Sequence, residues 1–365
     1  MIYMDNAATT RMYPEVFEAM KPWLTDKYGN PSAEYPMGRE AREAVERARE
    51  DIAATLDTTP EHIIFTSGGS EGNALVLCGA EDMAFAVGSI IEHPSVKNNV
   101  LEEFLKPESN GKITRYAFDP DFSKWPVRPS GISVMWVNNE TGTANDIIGL
   151  STDAHGWGVS IHTDAVQGYG AYDARTICGC VDYMTASAHK FHGPKGVGFV
   201  YAKHPEKLTP LIKGGGQERG FRSGTENVAA IVGMAAAAKI ADARIQAGSF
   251  MWLKHDYADR IREGLAPVAD RFNGDSRKVV SVTLKDVSAS TMVLALGEQG
   301  ICVSAGSACH ANSDKPSHVL KAIGLTDDEA RRTIRVSLGD DTLPSEVDAL
   351  IKTVCSTVET LRGGI

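Results

Sequence analysis

Two hydrophobic periods alternate along the chain. Ala41, Val45, Ala48, Ile52 and Leu56 recur at spacings of three and four, which predicts an amphipathic helix over 38–57. Short apolar runs at 62–66, 132–137, 159–163, 183–187 and 197–201 predict strands, and helical stretches at 73–80, 94–105 and 147–157 separate most of them. This alternation predicts an α/β unit with a mostly parallel sheet. After residue 225 the pattern changes. An alanine-rich helix (226–245) and a second helical pattern (250–272) precede a strand at 279–284, a helix at 290–298, a strand at 333–338 and a final helix at 344–361. This predicts a smaller α+β domain, with the boundary near 246–248. The expected division is a large domain at 14–245 and a small domain at 246–365, joined by residues 1–13.

Length and charge narrow the picture. A chain of 365 residues accommodates about two domains, each with its own core. With 47 acidic against 37 basic residues, the net charge of −10 argues against general nucleic-acid binding. The longest apolar run, 228–238, stops at Lys239, and the first residues carry neither a basic nor an apolar leader region, so a cytoplasmic location without membrane attachment is expected. Six sparse cysteines in a reducing compartment are expected to be mostly free thiols. Cys178 and Cys180 form a C-x-C rather than a zinc or redox spacing, so no metal site is expected.

Five segments carry candidate chemistry, most of them after predicted strands, where open α/β sheets build their sites. Thr66–Asn73, rich in glycine, suits either an anion cradle at a helix N-terminus or an ordinary turn capped by Ser70. In Ser187-Ala188-His189-Lys190, a lysine directly follows a buried strand. It suits a Schiff base with an aldehyde cofactor or, alternatively, a solvated turn, with Lys195 as a rival. Asp164 ends another strand, where a buried carboxylate needs a cation such as the pyridinium of pyridoxal phosphate (PLP), or else caps a helix. Gln167 lies within reach of such a ring's hydroxyl. His93, a candidate catalytic residue, can stack on a flat ring and move protons near neutral pH, or serve as a structural imidazole. Cys309 sits among small residues beside His310, a setting that favours an accessible thiolate.

Together with Tyr3–Thr10, Tyr28–Ser32, Asn138–Gly142, Gly214–Gly220 and Arg222–Thr225, these segments resemble the NifS/IscS-type cysteine desulfurases of the class V aminotransferase family, over nearly the whole chain. The resemblance implies the PLP-dependent transferase fold type I and L-cysteine as substrate, converted to L-alanine. It implies that Lys190 holds PLP and moves the substrate's Cα proton, that Asp164 pairs with the ring nitrogen, Gln167 with the ring hydroxyl, and that His93 stacks on the ring. Ser70, Ser187 and His189 would bind the phosphate, aided by Thr225 from a partner subunit, so a homodimer is implied. Asn139 and Arg335 would hold the substrate carboxylate. Cys309 would take the sulfur as a persulfide and pass it to an acceptor protein in iron–sulfur cluster assembly, tRNA thiolation or DNA phosphorothioation.

The chain departs from the family at several points. Ser70 replaces a usual threonine, the 78–91 stretch is short, and Asp340-Asp341 stand where an arginine is usual. His310 follows the cysteine, and little sequence extends beyond the last helix. Within the fold, an aminotransferase or a selenocysteine lyase would share Lys190 and Asp164 without needing Cys309. A non-catalytic scaffold in a sulfur relay would have no need of all three.

Overall fold

Two sheets organise the chain. The computed structural model describes residues 1–107, 111–113, 128–250, 255–306 and 315–363. The chain enters through β1 (Ile2–Tyr3), α1 (Pro14–Leu24) and α2 (Pro36–Ala54). There follow β2 (Ile63–Thr66), α3 (Gly69–Gly79), β3 (Ala86–Ser89), α4 (Pro94–Lys97), β4 (Glu102–Leu105), β5 (Gly131–Ser133), α5 (Ile147–Gly156), β6 (Ser160–Asp164), α6 (Arg175–Cys178), β7 (Tyr183–Ser187) and β8 (Gly198–Ala202). The long α7 (Val228–Ala247) leads to α8 (Tyr257–Leu265), β9 (Ala269–Asn273), β10 (Val279–Leu284), α9 (Ala289–Glu298), β11 (Ile301–Cys302) and β12 (Ser304–Ala305). The last described elements are α10 (His318–Ala322), α11 (Asp327–Arg331), β13 (Thr333–Ser337) and α12 (Pro344–Gly363).

The larger sheet has the order β2-β8-β7-β6-β5-β3-β4. Only β8 runs against its neighbours β2 and β7; the other pairings are parallel. Helices cover this sheet, so β2, β3, β7 and β8 are buried along their whole length. That explains why these strands read as continuous apolar runs rather than alternating ones. The stripe on α2 (Ala41, Val45, Ala48, Ile52) packs into the same core as Ile63, Phe65, Phe199 and Ile231. Helix α7 ends at Gly248, whose φ of 56° supplies the left-handed cap that a side chain would resist. Among the described residues, no helix is long and apolar enough to cross a membrane.

The second sheet, β12-β13-β10-β9, is antiparallel. Val280, Val282, Ile334 and Val336 form a separate core with Leu296, Val347, Leu350 and Val354, and Met4 joins it. Strand β1 pairs in parallel with β11, which ties the N-terminal segment to this second core.

Three expected elements differ. The helix expected over 94–105 is a single turn, α4. Leu101 N–H then bonds to Ala86 O, and the chain continues as β4 beside β3, where parallel pairing replaces the helical period. The helix expected over 250–272 is α8 alone among the described residues. Pro267 follows it, and Ala269–Asn273 pairs with β10 as β9. The strand expected over 132–137 is regular only to Ser133, although Val134 and Trp136 still donate to His162 O and Asp164 O on β6.

A buried fork locks α2 to the large sheet. Arg49 Nη1 and Nη2 donate to Glu218 at 2.8 Å each, and Glu218 also accepts from Phe65 N–H on β2. Removing Glu218 leaves the buried Arg49 guanidinium with the half-exposed Glu46 as its remaining carboxylate among the described residues. Glu218→Ala is expected to lower unfolding free energy by about 3–5 kcal/mol in urea denaturation, far more than loss of the exposed Lys239–Asp51 pair.

Candidate active site

The turns after β2, β3, β6 and β7 open on one edge of the large sheet, and the N-terminal segment and β13 close over it. Between them lies a cavity of about 300 Å³. Lys190 belongs to a single 3-10 turn, Ala188–Lys190, that directly continues β7. Its Nζ donates to Ala7 O (2.6 Å) and Ala8 O (2.9 Å), two carbonyls of the N-terminal segment. Asp164, at the end of β6, is 5% exposed. Its Oδ2 accepts from Asn73 Nδ2 (2.8 Å) and its Oδ1 from Val166 N–H (2.9 Å). Among the described residues no lysine or arginine forms an ion pair with it. A carboxylate so placed fits a ligand that brings its own N–H, as a pyridinium does, so the residues present fit PLP.

The opposite wall suits an anion. Gly68, with φ 148°, turns the chain from β2 into the eleven-residue α3, whose first turn holds Gly69 and Ser70. The N-terminus of that helix presents N–H groups and a positive dipole end. Ser187 and His189 stand beside it along the cavity wall. His189 Nδ1 lies 3.2 Å from Thr9 Oγ1. Burial, with Lys190 and Lys195 nearby, pushes the His189 pKa down to about 4, so at neutral pH it acts as a neutral hydrogen-bonding group.

The second sheet contributes Arg335, 1% exposed in the middle of β13. Its Nη1 donates to Asn139 O (2.8 Å) and its Nη2 to Asp5 Oδ1 (2.8 Å), while its buried Nε has no partner among the described residues. Next to it Glu140 is buried and accepts from Ser317 Oγ at 2.6 Å. Burial raises the Glu140 pKa to about 7, against the pull of Ser317 and Arg335.

The structure brings Ser70, His93, Asn139, Gln167, Ser187, His189, Lys190 and Arg335 to the cavity wall, with Asp164 behind it, reached through Asn73. Gln167 Nε2 donates to Ala7 O, the carbonyl that also holds Lys190. Thr225 does not line this cavity within one chain; it borders a separate surface hollow with Ser67, Glu218 and Arg222. Cys309 and His310 lie outside the described residues. Sequence reasoning gave no role to Asn73, Ser95 or Glu140, which also line the cavity. Asn73 and Glu140 stood inside quoted motifs, which was the available signal.

The sequence pattern of the family described as Aminotransferase class-V matches residues 2–350. The chain belongs to the class V aminotransferase family. A relative named cysteine desulfurase IscS, from Dictyoglomus turgidum, is 38% identical, covering 99% of this chain and 95% of its own. Among solved structures of the family, one described as a NifS-like protein superposes with a TM-score of 0.86 at 31% identity, covering 99% of both chains. Another, described as SspA in complex with cysteine, has a TM-score of 0.77 at 32% identity and covers 94% of this chain and all of its own. The architecture is the PLP-dependent transferase fold type I that the motifs implied.

Glu140 binds a proton more tightly folded than unfolded, so its contribution to stability is fully present below about pH 4.5 and is lost as pH rises through about 7. Urea denaturation at several pH values is expected to show the stability of the natural protein falling relative to Glu140→Gln across that window, by roughly 3 kcal/mol in all.

Proposed function

We propose that the chain is a PLP-dependent cysteine desulfurase. It converts L-cysteine to L-alanine, takes the sulfur onto Cys309 as a persulfide and passes it to an acceptor protein. The observation that carries this reading is the pair formed by Lys190, its amine held at the cavity wall by two carbonyls, and Asp164, a buried carboxylate with no lysine or arginine ion pair among the described residues. When bound, PLP supplies a carbonyl that links covalently to amino groups and a ring that takes up electrons.

The chain's own residues have distinct tasks on this reading. Asp164 keeps the ring nitrogen protonated, and Asn73 and Val166 N–H hold Asp164 in place. Gln167 faces the ring hydroxyl. Ser70, Ser187, His189 and the first turn of α3 hold the phosphate, and Thr225 of a second copy completes that site in a homodimer. Lys190 Nζ receives the substrate's Cα proton and returns it. Arg335, whose Nε has no partner among the described residues, takes the substrate carboxylate with Asn139, and Asp5 holds the guanidinium from behind. Cys309, flanked by Gly306 and serines, approaches the substrate sulfur and carries it away.

Purified protein loaded with PLP is expected to show the visible absorption of a protonated Schiff base. Lys190→Ala is expected to lose both that absorption and turnover. Cys309→Ser is expected to keep the absorption while sulfur transfer from L-cysteine falls at least about 10³-fold. Unchanged transfer in Cys309→Ser would favour an aminotransferase or selenocysteine lyase and overturn the reading. Arg335→Lys keeps the charge but loses the fork. The KM for L-cysteine is expected to rise about 30-fold, equivalent to roughly 2 kcal/mol of charge-assisted hydrogen bonding.

A further inference from the structure

A chain of hydrogen bonds runs behind the cavity from Asp164 to His93. Asn73 Nδ2 donates one hydrogen to Asp164 Oδ2 (2.8 Å) and the other to Ser95 Oγ (2.9 Å). Reversing that amide would set its oxygen against the carboxylate. The orientation is kept although Asn73 Oδ1 is buried with no partner among the described residues. Ser95 Oγ, which accepts from Asn73, lies 2.7 Å from His93 Nδ1, and since the Ser95 backbone N–H already makes that nitrogen an acceptor, the hydroxyl donates to it. The Ser95 backbone N–H donates to the same Nδ1 at 3.2 Å, because His93 is also the residue that caps α4. Two donors thus converge on one ring nitrogen, which must supply the lone pair.

We infer that Asn73 and Ser95 are positioning residues that lock His93 as the neutral imidazole with its hydrogen on Nε2. His93 then serves the site as a hydrogen-bond donor and a ring platform, and not as a proton acceptor. Its only basic nitrogen is engaged by Ser95, so protonation would first require both Ser95 bonds to break. Among the described residues, the charged groups facing the ring include Asp164 from β6 and Lys190 from the turn after β7, with Glu92 and His318 on the same cavity wall. Burial holds the His93 pKa below the usual histidine range; Asp164 opposes this and Lys190 reinforces it. A neutral ring can lie against a flat cationic cofactor without adding a like charge beside Lys190. That last step rests on the PLP reading, whereas the tautomer itself does not.

Histidine ¹⁵N NMR of the PLP-loaded protein, with His93 assigned from His93→Gln, reads the tautomer directly. An unprotonated Nδ1 and a protonated Nε2 are expected from pH 6 to 8. Ser95→Ala removes one donor, and the His93 pKa is expected to rise by about 0.7 unit, a fivefold gain in proton affinity. Ser95→Thr is expected to restore the natural titration. Asn73→Ala is expected to shift it in the same direction as Ser95→Ala. A protonated Nδ1 in the natural protein, or an unchanged titration in Ser95→Ala, would overturn the inference. These spectra do not depend on which substrate is turned over, so they fail or succeed independently of the desulfurase assignment.

Discussion

The site depends on holding one cation and one anion inside the same fold without letting them neutralise each other. Strand register makes this possible. Strands β6 and β7 are parallel neighbours with Asp164 opposite Thr185, so Asp164 ends its strand while β7 runs on to Ser187 and turns into Lys190. The amine is then satisfied by Ala7 and Ala8 carbonyls, and the carboxylate by Asn73 and Val166. Each charge is solvated by dipoles from a different part of the chain. A buried lysine and aspartate in direct contact would be an inert ion pair. Kept apart, they are available to a ligand that meets both.

The N-terminal segment joins this pair to the second sheet. Within a few residues it pairs β1 with β11, sets Asp5 against Arg335, donates from Asn6 Nδ2 to Ser337 O and offers Ala7 O to both Lys190 and Gln167. Arg335 and Lys190, which rise from different sheets, are thereby referenced to one stretch of backbone. The aspartates after Gly339 looked from sequence like a reversal of local charge. Instead the Asp340 side chain, only 6% exposed, takes hydrogens from the Tyr13 hydroxyl and from Arg244 Nη1 (2.7 Å), with His192 Nε2 at 3.5 Å. Its charge is spent internally, and it binds the second sheet to α7 and to the entry of α1.

What sequence made legible was local. Continuous apolar runs marked the buried strands because helices cover both faces of the sheet, and the chemistry-bearing residues followed the strand ends because parallel sheets expose that edge. Hence Lys190, Asp164 and His93 could be singled out one by one. The helix read over 94–105 failed because periodicity carries no information about a neighbouring strand; pairing with β3 decided the conformation there. Asn73 and Ser95 were not singled out for a similar reason. Asn73 meets Ser95 across 22 residues and Asp164 across 91, and no spacing rule connects them. Glu140 lay inside a quoted motif, but its raised pKa comes from burial against Arg335 and Ser317, which only the assembled fold provides.

The distribution of charge in the cavity then limits how it can hold its ligands. Burial pushes the pKa of His162, behind the sheet edge, down to about 3 and that of His189 to about 4, and it holds His93 low as well. At neutral pH His162 and His189 carry no charge, and among the described residues of the cavity wall the lysine and arginine charges are those of Lys190 and Arg335. On the proposed reading Lys190 is committed to covalent chemistry and Arg335 to the substrate carboxylate. The cofactor phosphate must then be held by neutral donors: the N–H groups at the start of α3, the Ser70 and Ser187 hydroxyls and the His189 ring. Such donors fix position strongly without competing as cations for the substrate carboxylate. The glycines that open α3 therefore do more than allow a turn, because they bring backbone N–H groups close enough to stand in for a lysine or an arginine.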